Sequence, residues 1–61
     1  MTFNHTYDAN NIMTWMRNIG SGTYTVEQEH YQENIEIFRG DYKTCVNKIN
    51  ELTKRSYKEL N

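Results

Sequence analysis

Cys45 is the only cysteine in the chain. That one fact removes an internal disulfide framework and any zinc site built from two or more thiolates of one chain. The 61 residues must therefore hold together through one small core, and a domain of about 60 residues buries only ~60 % of its unfolded surface. The expectation is a single small domain over residues 1–61, either marginal alone or completed by a partner. Eight aromatic residues, five of them tyrosine, favour the partner, because tyrosine offers stiff contact area with a polar end.

Composition narrows the class further. Hydrophobic residues make up 36 %, and the balance sits in asparagine, threonine and glutamate. No apolar run approaches the ~20 residues of a membrane span. Met1-Thr2-Phe3-Asn4-His5 has neither a basic n-region nor an apolar h-region, so the segment does not read as a signal peptide and the expected location is cytoplasmic. A net charge of −1 argues against a strongly basic nucleic-acid coat.

Along the chain, Asp8 is a good N-cap, and Ile12, Trp15, Met16 and Ile19 follow at the spacing of one helical stripe, with Met13 beside it. Arg17 suits the end of such a helix, Gly20 its αL stop, and Ser21-Gly22 a loop. The spacing thus predicts a helix over 8–19. Residues 2–7, with Phe3 and Tyr7, read as an extra strand or a loose arm. Residues 23–39 support two readings. Thr23-Tyr24-Thr25-Val26 and Asn34-Ile35-Glu36-Ile37-Phe38-Arg39 suit a β-hairpin turning at Glu33-Asn34. Alternatively, Tyr31, Ile35, Phe38, Tyr42, Cys45, Ile49 and Leu52 alternate by four and three, a heptad seam. Gly40 as a tight turn and Asp41 as a cap favour the hairpin, because glycine inside a helix costs about 1 kcal/mol. Residues 42–59 form a helix under either reading, with Glu51 and Arg55 as an i,i+4 pair.

The expected fold is therefore α+β, helix–β-hairpin–helix. The alternative is all-α, a short helix packed on one long helix with a heptad seam. Ile12, Trp15, Met16, Phe38, Val46, Ile49 and Leu52 are the expected core.

Charge is divided along the chain. Residues 27–41 carry Glu27, Glu29, Glu33, Glu36 and Asp41 against Arg39, whereas residues 42–61 carry five bases against Glu51 and Glu59. Two copies running antiparallel would set acidic segments against basic ones, so a homodimer is one expectation. The acidic segment also suits a partner with a basic surface, and its candidate contact residues are Glu27, Glu29, Tyr31, Glu33 and Glu36. The competing description of such a run is a solvated face that keeps the chain in solution. In the basic helix, Lys54, Arg55 and Lys58 flank Tyr57, a base-stacking ring beside phosphate-binding charges. A small nucleic-acid-associated regulator is thus a second class of function, set back by the sequence pI of about 6.0.

Catalysis and metal binding find little support. His5, His30 and Cys45 share no ligand-type spacing, and neither HExxH nor CxxC occurs. Cys45 sits on an apolar helix face, where a thiol is buried and inert. Glycines 20 and 22 lack the lysine and length of a P-loop. Such a short chain also has little depth in which to desolvate a carboxylate. No enzyme, no cofactor and no metal are expected. Arg39-Gly40-Asp41 and Asn4-His5-Thr6 match an integrin tripeptide and a glycosylation acceptor, but both uses require export.

The pattern Ile35-x-Ile37-Phe38-x-Gly40-Asp41-Tyr42-x-x-Cys45-x-x-x-Ile49-x-x-Leu52 resembles the strand–turn–helix ending of small phage and mobile-element accessory proteins. The Asn-, Tyr-, Lys- and Ile-rich composition is similar to that of proteins from low-GC phages or their hosts. The resemblance covers residues 35–52 and carries over no functional residue. It implies a short accessory protein, of the host-takeover or anti-CRISPR type, that binds and inhibits a larger host protein by occluding a functional surface.

Overall fold

The computed structural model describes the backbone of residues 1–60 and the side chains of residues 1–53. Four strands, β1 (Thr2–Tyr7), β2 (Met13–Gly20), β3 (Thr23–His30) and β4 (Glu33–Gly40), precede one helix, α1 (Tyr42–Leu60). The strands form an antiparallel sheet in the order β1-β2-β3-β4, so each pairs with its neighbour in sequence.

The sheet corrects both expected folds. The segment expected as a helix over 8–19 is a turn followed by β2, and the stretch carrying the first half of the heptad seam is the β3–β4 hairpin. The chain is therefore neither helix–hairpin–helix nor all-α.

Asp8 shows how the first error arises. Its carboxylate does cap backbone amides, accepting from Asn10 N at 2.8 Å and Ile12 N at 3.0 Å. The capped segment closes back on itself instead of propagating: Asp8 N donates to Ile12 O at 3.0 Å, and Asn11 takes a φ of +63°. Asx capping serves turns as well as helices. In β2, Thr14, Trp15 and Met16 are all buried. A strand covered on both faces loses its period-2 signal and reads as a continuous apolar run.

One row of side chains crosses the sheet and makes the core. Phe3 lies opposite Met16, Met16 opposite Val26, and Val26 opposite Phe38. Residues opposite one another share a face of the sheet, and α1 lies over this one, bringing Cys45, Ile49 and Val46 against the row. Of the expected core, Trp15, Met16 and Ile49 are buried, Phe38 and Val46 are half-buried, and so are Ile12 and Leu52. Val26, absent from that expectation, is fully buried.

The helix begins where the sequence places it. Asp41 Oδ1 accepts from Thr44 N at 2.9 Å and from Thr44 Oγ1 at 2.9 Å. Gly40 supplies clearance rather than a special φ. A Cβ there would lie 2.6 Å from Thr44 Oγ1, displacing the hydroxyl that completes the cap. Lys48 pairs with Glu51 at 3.8 Å, and the expected Glu51–Arg55 pair lies outside the described side chains.

Cys45 is free and buried, with its Sγ donating to Tyr24 O at 3.4 Å. Burial pushes the thiol above its ordinary value of 9.0. The thiolate is the reactive form, so alkylation of the native protein by iodoacetamide is expected to be at least ~100-fold slower than in denaturant, following the population of the open state. Comparable rates in both would place Cys45 at the surface.

Candidate interaction site

The sheet face away from α1 carries a closed polar network around Glu27. Trp15 lies opposite Glu27 on β2, and Glu36 opposite it on β4. The Glu27 carboxylate accepts from Thr25 Oγ1 at 2.8 Å, from Arg17 Nε at 3.0 and 3.2 Å, and from Trp15 Nε1 at 3.2 Å. Burial alone would raise the Glu27 carboxyl, but bonds from Arg17, Thr25 and Trp15, with the Arg17 charge, hold it below its usual value. These polar side chains close over Trp15, which is 5 % exposed, while the His5 ring stacks at 6.1 Å.

A second polar cluster sits beyond the apolar row. Gln28 Nε2 donates to Asp8 Oδ2 and to Thr14 Oγ1, leaving Gln28 Oε1 to accept from His30 Nε2 at 3.0 Å. That acceptor requires a proton on Nε2, in either the neutral or the charged ring. The cluster ties β3 to the β1–β2 turn just before the tip of the β3–β4 hairpin.

The hairpin tip puts two consecutive non-glycine residues in the left-handed region. Tyr31 and Gln32 form its two-residue turn, with φ values of +51° and +69°. Positive φ at both central positions belongs to a type I′ turn, which favours Asn-Gly. The turn expected at Glu33-Asn34 thus falls two residues earlier, at a Tyr31-Gln32 pair that carries no turn residue. A non-glycine residue in this region costs about 1–2 kcal/mol. Tyr31 is also 97 % exposed, so packing gives nothing back.

The five acidic-segment candidates fall into different settings. Glu27 is 8 % exposed and its carboxylate is occupied within the fold, which corrects its reading as an offered contact. Glu29 and Glu33 are exposed on either side of the tip, at the pairings Glu29–Asn34 and His30–Glu33. Glu36 is exposed and paired with Arg39 at 2.8 Å. Glu29, Tyr31 and Glu33 are therefore brought together at one end of the hairpin, and Glu36 lies farther along β4. Lys54, Arg55, Tyr57 and Lys58, the nucleic-acid candidates, have side chains outside the described residues.

The Glu27 network has no local signal in the sequence. Arg17 and Glu27 are ten residues apart and meet only through the β2–β3 register. Among the described residues, no group of three or more His, Cys, Asp or Glu side chains is placed to hold a metal ion. No helix there is long and apolar enough to cross a membrane. The chain matches no protein-family model, no curated protein and no solved structure.

Proposed function

We propose that this chain is a non-enzymatic protein-binding module that acts in the cytoplasm by covering a functional surface of a larger host protein. Its contact surface is the β3–β4 hairpin, with Tyr31 at the tip, Glu29 and Glu33 beside it and Glu36 farther along β4. The observation that carries this reading is the Tyr31-Gln32 turn. A fully exposed tyrosine is held in a left-handed conformation that Asn-Gly would adopt without strain, and strain of that kind concentrates at ligand clamps and binding loops. The acidic residues beside it suit a basic surface, where complementary potential speeds encounter and fixes orientation. The resemblance to small phage accessory proteins supports the inhibitor reading.

The turn gives the test. Replacing Tyr31-Gln32 with Asn-Gly is expected to stabilise the fold by about 1–2 kcal/mol, and at about 4–8 °C per kcal/mol for a domain of this size the melting temperature rises accordingly. The same substitution, and separately E29K/E33K, is expected to release partners that the unaltered chain retains from host extract. A more stable turn variant that retains the same proteins would remove the tip from the binding surface.

A further inference from the structure

The outer edge of β4 is unpaired in the sheet order. Ile35 and Ile37 on this strand are 45 % and 37 % exposed. Open edges invite pairing, and edge charges or a bulge usually prevent it. Here both devices are present, but their combination is self-complementary. Val26 lies opposite Phe38 and Glu27 opposite Glu36, which leaves Ile37 as an extra residue, a β-bulge. In a regular strand, residues three apart point to opposite faces. The bulge cancels one alternation, so Glu36 and Arg39 come to the same face and pair at 2.8 Å.

We propose that β4 is a self-pairing edge, and that a second copy of this chain docks on it antiparallel about a two-fold axis through Phe38. With the bulge counted as one position, this register sets Glu36 opposite Arg39 of the second copy and Arg39 opposite its Glu36. Face is conserved as well: Phe38 meets Phe38 on the helix side, and the four charges lie on the other. A two-fold interface must be self-complementary in this way. Each intrachain Glu36–Arg39 pair thereby becomes half of a ring of alternating charge. The interface is one strand wide, so the dimer is weak and concentration-dependent. This proposal does not depend on the hairpin tip.

Sedimentation equilibrium with charge variants tests it. The wild-type chain should show a reversible monomer–dimer equilibrium. E36R puts arginine at both positions and R39E puts glutamate at both. Like charges then face each other, and each variant alone should dimerise about tenfold or more weakly. Mixed in equal amounts, the two variants should associate as heterodimers, because every facing pair is again opposite in sign. An intrachain role for the pair does not restore association in the mixture. Circular dichroism checks that both variants stay folded. As an independent readout, β4 amides should exchange more slowly at high protein concentration while β1 amides do not change. A wild type that stays monomeric, a mixture that does not associate, or protection at β1 instead of β4 would each overturn the proposal. The Asn-Gly turn variant should dimerise like wild type, which separates this edge from the binding tip.

Discussion

Glu27→Ala is expected to destabilise the fold by about 2–4 kcal/mol, the cost of stranding buried donors together with part of an ion pair. Four bonds converge on this carboxylate. Without it, Trp15 Nε1 and the 1 %-exposed Thr25 lose their partner. Arg17 has a side chain 38 % exposed and recovers part of its loss by hydration. A chain of this size has a total stability of only about 3–9 kcal/mol, so urea titration should find the unfolding midpoint of the variant sharply lowered. A loss under about 1 kcal/mol would mean that water replaces the carboxylate.

Acid should reproduce part of the effect. The folded-state value of Glu27 lies below its ordinary 4.5, so its contribution is complete above that pH and is lost as pH falls through the folded value. Glu27→Gln should flatten this limb of the stability profile. Some acid dependence remains, because the Arg39 bond lowers Glu36 and the Thr44 amide lowers Asp41.

The second large effect lies on the other face. Met16→Ala is expected to cost about 2–5 kcal/mol, the range for truncating a fully buried side chain whose surroundings relax incompletely. Met16 is 0 % exposed, stands between Phe3 and Val26 in the row under α1, and accepts a 3.4 Å contact from Asn4 Nδ2 on Sδ. Leu52→Ala, at a half-buried helix position, should cost clearly less. Equal losses would shift the centre of the core toward the C-terminal half of α1.

The two variants also mark what the sequence made legible. Met16, Ile49, Phe38 and Val46 are recognisable as apolar positions on almost any reading, and α1 announces itself through its cap at Asp41 and its repeating apolar face. The loop at Gly20-Ser21-Gly22 is legible because glycines tolerate the φ of +104° and +76° found there. What misled was β2. Its helical stripe joins residues in unlike settings: Met16 packs under α1, Trp15 lies under Arg17 and Glu27, and Ile19 is exposed. Local spacing records that residues are apolar but not where each one goes. The Tyr31-Gln32 turn was illegible for a different reason. Its residues disfavour the conformation that they adopt, so the hairpin is imposed by the pairing of β3 with β4 and not by local preference. Glu27 likewise looked like one of a solvated series until register placed Arg17 and Trp15 beside it.

The order β1-β2-β3-β4 has a kinetic meaning. Every strand pairing joins sequence neighbours, so each step closes only a short loop, and the sheet can zip from one hairpin to the next at low contact order. The Gly20-Ser21-Gly22 turn puts glycine at two of its three left-handed positions, with only Ser21 strained, and so is better prepared for such a start than the Tyr31-Gln32 turn, which has glycine at neither. Growth should therefore begin at β2–β3 and reach β4 late, with the left-handed tip closing under the pull of strands already in register. The segment least eager to fold is then the one that holds Tyr31 out in solvent.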